Sequence, residues 1–156
     1  KPADVLRSLR PEDWEQQVYT TGGRWRVREV LAHFVSAEAT LAYYGRQILA
    51  GGPGAPEDFV IDEFNETQVG GLSDRPISDL LAEFERLRAE TCQLVAGMAE
   101  EDFARIGRHP WFGRVPLGDM LKLVYRHNTI HLRDVRKALQ TGMPAPHVDA
   151  RPPAAE

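Results

Sequence analysis

Two histidines in the segment RHNTIHLRDV, His127 and His131, stand four residues apart where apolar neighbours recur at helical spacing. On an α-helix both imidazoles then lie on one side, His131 within the apolar face and His127 at its edge. Ring nitrogens at positions i and i+4 converge on one point, which is how many zinc-type sites take two of their ligands. A third imidazole, His33 in WRVREVLAHFV, lies on the flank of another apolar-faced helix. The three histidines therefore form a candidate metal site.

Three neutral histidines around an ion leave one coordination position open, which is typical of a catalytic site rather than a structural one. The alternative is that these histidines are ordinary core residues that hydrogen-bond their neighbours, since an isolated His-x-x-x-His also occurs by chance. Cys92 is the only cysteine, which excludes an internal disulfide and a zinc site made of cysteine clusters. Ligand type favours zinc among the divalent ions, while nickel, manganese and iron stay open.

The 156-residue chain has the size of one domain and can bury a core without disulfides or a structural metal. Its 19 basic and 23 acidic residues give a net charge of −4, so nothing in the charge favours a nucleic acid or an anionic membrane as partner. A small-molecule or protein partner is expected instead. The sequence shows no apolar stretch of membrane-spanning length and no leader peptide, although it lacks an initiator Met, and it predicts a cytoplasmic protein.

The spacing of apolar residues predicts three long helices, at residues 27–49, 80–98 and 117–139. Shorter helices are expected at 4–9 and, after the Gly/Pro-rich stretch GGPGAPED, at 57–69. No segment alternates apolar and polar residues as a half-buried strand would. The predicted fold class is therefore all-α, a four-helix bundle whose first helix is shortened.

The domain organisation follows from the composition near the carboxyl end. Residues 142–156 are rich in Pro and Ala and lack the large apolar side chains that a packed segment needs. We therefore expect one helical bundle domain at residues 1–140, followed by a flexible tail at residues 141–156.

Longer stretches of the sequence resemble those of one family. WRVREVLAHF, with Trp25, Glu29 and His33, is similar to the Trp-x-x-x-Glu-x-Leu-x-His opening of the second bundle helix in the DinB / YfiT-like superfamily. RHPWFGRVPLGDMLKLVYRHNTIHLRDV resembles the His-Pro-x-Phe-Gly turn of that superfamily and its last helix, which carries His-x-x-x-His. The order of the three histidines fits as well, over about residues 11–139. One departure is Arg26, which stands where relatives often carry Ser or Thr as a helix cap.

The resemblance implies a compact four-helix bundle, often a homodimer, that holds a divalent metal on three histidines in a cleft at one end. Relatives include metal-dependent transferases that use low-molecular-weight thiols such as bacillithiol or mycothiol, thiol-dependent isomerases, and hydrolases of reactive toxins. For this chain it implies that His33, His127 and His131 are the metal ligands and that a thiol is a possible cosubstrate.

Three further residues are candidates for the same cleft. Asn65 stands where relatives often have an Asn near the cleft, so it is a candidate to bind substrate, although a helix-start or surface amide is an equal alternative. Asn128 lies between the paired histidines and is a candidate to orient an imidazole, or simply packs between helices with water as partner. Trp111 is a loop aromatic that either walls the site or closes the end of the core.

Three other residues have structural interpretations. Glu38 projects from the apolar face of its helix, and since a buried carboxylate is unfavourable without a partner, we expect an ion pair with an inward Arg. Cys92 lies at the edge of an apolar stripe and is expected to fill the core. His109, next to Pro110, is expected to stabilise the loop before the last helix.

The preferred function is that of a metal-dependent enzyme that transfers a small thiol to an electrophilic molecule in a detoxification or stress role. A divalent ion on neutral imidazoles lowers the pKa of a bound thiol or water toward neutrality and so activates the nucleophile. Hydrolysis would use the same ligands, and the sequence does not separate the two reactions. A bundle that binds a small molecule without chemistry is the alternative from another class.

Overall fold

A computed structural model describes residues 2–147 as a bundle of helices with one small hairpin. The helices are α1 (Pro2–Arg7), α2 (Val27–Leu49), α3 (Ile61–Leu72), α4 (Ile77–Ala96) and α5 (Leu117–Thr141), and the strands are β1 (Ile106–His109) and β2 (Gly113–Pro116). Short 3-10 turns lie at Pro11–Glu15 and Glu100–Ala104. The predicted all-α bundle is confirmed, with α2 to α5 as its main helices. None of the described helices is long and apolar enough to cross a membrane.

Helix α2 is the centre of the bundle and packs against α3, α4 and α5. Its sequence explains this position, because consecutive apolar residues point to different sides of the helix, and more than one side is therefore buried. Phe34 of α2 packs against Phe84 of α4 with ring centroids 5.7 Å apart. The candidate ligand His33 therefore lies on the most enclosed helix of the fold.

A second group of buried residues lies at the other end of α2, where Ile48 and Tyr44 meet the start of α5 and the hairpin. Gly107 in β1 allows this contact, because a Cβ at that position would lie 2.0 Å from Ile48 Cδ1. The hairpin is thus held directly against α2, at the end of the bundle from which the loop before α5 departs.

The helix ends differ from the predicted ones by a few residues. Helix α3 begins at Ile61 rather than at 57, and it continues through Gly70 and Gly71 because Leu72 still packs against the core. Helix α5 extends to Thr141 and stops where Gly142 adopts φ 67°, a left-handed conformation that glycine enters without steric cost.

The absence of strands in the sequence prediction is wrong for the hairpin, in which Ile106 pairs with Pro116 and His109 with Gly113. Burial does alternate along β1, but its two buried residues are Gly107 and His109, while Ile106 is exposed. The apolar residue of β1 is therefore exposed while Gly and His are buried, so the residue types do not indicate a strand. A strand of four residues is also too short to show a clear alternation.

Two other predictions about single side chains have opposite outcomes. Cys92 is exposed, so its assignment to the core is wrong: the buried face of α4 runs through Phe84, Leu87 and Thr91 and leaves the next residue outside. The ion pair predicted for Glu38 is present, since Arg88 Nη2 lies 3.2 Å from its Oε2. Burial nevertheless raises the pKa of Glu38, against the opposing effects of Thr91 and Arg88.

The first residues after α5 fold back onto the bundle. The backbone N–H of Ala145 donates to Val18 O at 3.0 Å, and Thr20 N–H donates to Ala145 O at 3.0 Å. Residues 142–147 are thus hydrogen-bonded to the segment that precedes α2, although they belong to the predicted tail. The rest of that tail, residues 148–156, lies outside the described residues.

The loop between α2 and α3 forms an isolated parallel β-bridge with the hairpin, between Gly54 and Arg108. Arg108 N–H donates to Pro53 O, Ala55 N–H donates to Arg108 O, and Gly54 between them has φ +84°. A Cβ at Gly54 would lie 2.6 Å from Arg108 O, whereas Gly51, with φ +86°, has nothing within 4 Å. Both glycines resist substitution by their conformation, but only Gly54 has no room for a side chain.

We expect Gly51→Ala to lower the free energy of unfolding by about 1–2 kcal/mol, the cost of a left-handed conformation. Gly54→Ala should lower it by about 3 kcal/mol or more, because the backbone of Arg108 must also move. Urea denaturation of both variants beside the wild type measures the difference. Equal losses would show that the bridge to Arg108 does not constrain the loop.

Candidate metal centre

The three predicted ligands meet in the interior between α2 and α5. His33 Nε2 lies 2.8 Å from His127 Nε2, which in turn lies 3.1 Å from His131 Nε2. His33 and His131 are each only 4% exposed. Within the described residues these histidines form a group whose ring nitrogens all lie within 4.8 Å of one another. The same nitrogen of each imidazole thus points at one small volume.

The start of α2 fixes the position of His33. The Glu29 carboxylate accepts a hydrogen bond from the backbone N–H of Arg26 at 2.8 Å and pairs with the guanidinium of the same residue. Glu29 therefore caps the helix from its third residue, in place of a Ser or Thr at position 26. His33 lies one turn after Glu29, and the buried Trp25 ring packs against it with ring centroids 4.7 Å apart. The Trp, Glu and His of the sequence motif thus form one local unit.

The surroundings keep all three imidazoles neutral. Burial is the main cause that lowers the pKa of each ring, and charge on the neighbouring histidines lowers it further. The pKa values of His33 and His131 fall well below the usual imidazole value, and the hydrogen bond that His127 donates to Asn128 Oδ1 only partly opposes the fall of the pKa at His127. Neutral rings retain the lone pair that a metal ligand must supply.

The outer nitrogens of the rings have different partners. His127 Nδ1 lies 3.1 Å from Oδ1 of the fully buried Asn128, and His131 Nδ1 lies 2.6 Å from the Tyr19 hydroxyl oxygen. His33 Nδ1 is buried without a hydrogen-bond partner among the described residues. Asn128 had been singled out from the sequence for such a contact. Tyr19 had not, because it lies in a segment without periodicity or a recognisable motif.

A fourth histidine packs beside the cluster. The His147 ring stacks on His131 with centroids 5.4 Å apart and an interplanar angle of 26°, and its backbone N–H donates to Thr21 Oγ1 at 2.9 Å. His147 belongs to the predicted tail, and the Pro/Ala-rich stretch around it gives no signal for this contact. The returning segment thus covers one side of the His131 ring.

The donor set suits a divalent ion. Three nitrogens bound at 2.0–2.1 Å in a tetrahedral arrangement lie about 3.3 Å from one another, so the observed 2.8 and 3.1 Å need a widening of only a few tenths of an ångström. Neutral imidazoles brought this close repel one another through their lone pairs unless a proton or a cation lies between them. A metal ion can take that place for all three rings at once, so His33, His127 and His131 together are a suitable set to hold one.

A cavity of about 460 Å³ opens from the cluster, with apolar walls and a few polar groups. Its size is that of a small-molecule site. The walls come from α2, α3, α5 and the hairpin turn, and they include Leu41, Phe59, Ile61, Phe64, Asn65, Trp111, Phe112, Leu123, Arg126 and Ile130. The three histidines lie at one part of this wall, so a ligand in the cavity would meet any group they hold.

The other predicted cleft residues lie at this cavity. Asn65 reaches it from α3 and Trp111 from the hairpin turn. His109 lines it too, and its Nδ1 accepts hydrogen bonds from the backbone N–H groups of Trp111 and Phe112 at 3.0 and 3.3 Å. The prediction that His109 stabilises this loop is confirmed. Because His109 is buried, its pKa is lowered to about 4, and the turn keeps its acceptor at neutral pH.

Comparison with known proteins adds the family. No curated protein matches the sequence. Among solved structures, the chain resembles the crystal structure of a mycothiol-dependent maleylpyruvate isomerase, with a TM-score of 0.73 and 15% sequence identity over 86% of this chain. That similarity shows a shared fold, and this chain spans 54% of the isomerase chain. The model of the DinB superfamily matches residues 3–135, which include all three clustered histidines. The chain belongs to the DinB superfamily.

Proposed function

We propose that this protein is a metal-dependent enzyme that transfers a low-molecular-weight thiol, of the bacillithiol or mycothiol type, to an electrophilic small molecule. The observation that carries the proposal is the convergence of three neutral imidazoles, two of them buried and that of His127 half-buried, at the wall of an apolar cavity. Detoxification of reactive compounds, or a stress response, is the role that fits such a reaction.

His33, His127 and His131 would hold the ion, with zinc favoured and nickel, manganese or iron as other candidates. A divalent ion on three neutral ligands supplies a net positive charge that lowers the pKa of a bound thiol and so favours the thiolate. The protein contributes fixed geometry: Glu29 caps the helix that carries His33, and Asn128 contacts His127. These contacts orient the imidazoles before any ligand arrives.

The cavity walls support a small molecule with an apolar body as substrate. Phe64, Trp111 and Ile130 offer apolar surface, which excludes water from the reacting atoms and strengthens the electrostatic interactions there. Asn65 and Arg126 add polar groups to the wall, suited to orient the substrate or the thiol.

Two other functions fit the same geometry. A hydrolase would use water as the nucleophile, with the same three histidines and the same cavity. A binding protein would hold a ligand in the cavity without chemistry. We favour thiol transfer because the solved structure with the same fold is that of a mycothiol-dependent maleylpyruvate isomerase.

We also propose that the protein is cytoplasmic. Low-molecular-weight thiols are kept reduced in the cytoplasm, so a thiol-dependent enzyme is expected there. We further propose a homodimer, in which a second copy would cover exposed aromatic residues such as Tyr43 and Tyr125, whose exposed fractions are 55% and 60%.

The first prediction concerns metal binding. We expect the wild type to bind about one equivalent of zinc and to gain thermal stability from it, because the ion binds only the folded cluster. His131→Ala should weaken zinc binding by more than about 100-fold, since loss of a ligand exceeds the 10–100-fold effect of losing an outer partner. Isothermal titration and elemental mass spectrometry measure both effects.

The matched control for that experiment is His109→Asn, which removes a histidine from the same cavity wall but leaves the cluster intact. An Asn side chain can still accept a hydrogen bond from the following turn. Zinc binding should stay within about twofold of the wild type, a change of less than about 0.5 kcal/mol. A wild type that takes up no zinc, nickel, manganese or iron would return the histidines to an ordinary core role.

The second prediction concerns the reaction. Metal-loaded protein should accelerate the reaction of a small thiol with an aryl halide, in which a C–S bond replaces the carbon–halogen bond and halide and a proton are released, and His127→Ala should reduce the rate to background. Hydrolysis of an aryl ester without thiol is the parallel assay. Turnover of the ester alone would favour the hydrolase. Ligand binding that His127→Ala leaves unchanged, without turnover of either substrate, would favour the binding protein.

The third prediction concerns the cavity wall. Trp111→Ala should raise KM for an apolar electrophile by about tenfold, because a buried aromatic contact contributes about 1–2 kcal/mol. Zinc content should not change, since Trp111 is not a member of the cluster. Ile106→Ala, which removes an exposed apolar side chain of the same hairpin that does not line the cavity, is the control. Equal KM values for both variants would exclude Trp111 from substrate binding.

A further inference from the structure

A chain of two hydrogen bonds leads away from His131. The Tyr19 hydroxyl oxygen lies 2.6 Å from His131 Nδ1, and the same hydroxyl donates to Asp134 Oδ2 at 3.1 Å. Tyr19 is only 1% exposed, and the Asp134 side chain, also paired with Arg133, is 24% exposed. We propose that Tyr19 and Asp134 are positioning residues that fix His131 in the tautomer whose Nε2 lone pair faces the other two histidines.

The single proton of the phenol decides the tautomer. A carboxylate can only accept hydrogen bonds, so the Tyr19 proton points to Asp134. The hydroxyl oxygen then accepts from His131, which places the imidazole proton on Nδ1 and leaves Nε2 with its lone pair. The opposite arrangement would put the Nε2–H into the cluster and leave two oxygens facing each other without a proton. The charged acceptor makes the first arrangement the stable one.

This role extends the proposed function and rests on it. It identifies His131 as the histidine that would bind the metal ion most strongly among the three. His127 contacts the neutral amide of Asn128, whereas His131 is connected to a carboxylate. A carboxylate at the end of such a chain increases the basicity of the imidazole and strengthens its bond to a metal. His131 is therefore the ligand whose outer contacts contribute most to affinity.

The backbone holds Tyr19 in place independently of any ion. Tyr19 N–H and Val18 N–H both donate to Trp25 O, at 3.1 and 2.8 Å, and Val18 O accepts from Ala145 N–H. Asp134 follows His131 by three residues on α5, so both lie on the same side of the helix. The hydrogen-bond chain thus belongs to the folded protein before a metal binds.

The test uses Tyr19→Phe and Asp134→Asn in the full chain, with Tyr44→Phe as a control that alters another buried tyrosine. Imidazole nitrogen NMR shifts of the zinc-free protein report the tautomer, and zinc titration reports affinity. We expect the wild type and Tyr44→Phe to carry the His131 proton on Nδ1. Tyr19→Phe should populate the Nε2–H tautomer and bind zinc 10–100-fold more weakly. Asp134→Asn should fall between the two.

Each result decides the inference. A folded Tyr19→Phe protein with the wild-type tautomer and zinc affinity overturns it and leaves the proposed metal site intact. If Tyr19→Phe does not fold, zinc affinity of Asp134→Asn equal to that of the wild type overturns it in the same way. A wild type that binds no metal contradicts the proposed function instead, while the nitrogen shifts still show whether Tyr19 sets the tautomer.

Discussion

The burial of three imidazoles side by side is the constraint on which the rest of this structure depends. Each ring carries two nitrogens that need partners, and an apolar interior offers few. The fold meets this need at two of the rings, with an amide from α5 at His127 and a phenol from the segment before α2 at His131. The third ring, His33, packs against the indole of Trp25, and its Nδ1 has no hydrogen-bond partner among the described residues. The inner nitrogens are left to one another, at the wall of the cavity.

This constraint also explains why some elements carry the histidines and others surround them. The long helices α2 and α5 carry the histidines on regular backbone, which keeps the ring positions fixed. The short helix α3 and the irregular parts of the chain form the surroundings, with α3 and the hairpin turn at the cavity and residues 142–147 behind His131. Variation in those parts can change the cavity without moving the three histidines.

The sequence predicts those features that local patterns of residues determine, and it does not predict those that depend on contacts between distant segments. Helical periodicity located α2 and α5, and the spacing of His127 and His131 with the motif around His33 predicted the cluster. Tyr19 lies outside any periodic segment, and its contact with His131 spans 112 positions of the chain, so no local pattern could indicate it. The hairpin was missed because its buried positions hold Gly107 and His109 rather than apolar residues. In each case a tertiary contact, not a local preference, decided the structure.

The separation of the three histidines along the chain has a kinetic consequence. His33 and His127 are 94 positions apart, so the unfolded chain must close a long loop before their rings can meet. An ion could not nucleate this contact at an early stage, and it would enter a site that the packed helices had already made. Once there, it would tie α2 to α5, and it would leave by the cavity through which it entered. Because the ion binds only the folded cluster, its kinetic effect would be on the bundle itself: α2 and α5 would separate more slowly while the ion joins them.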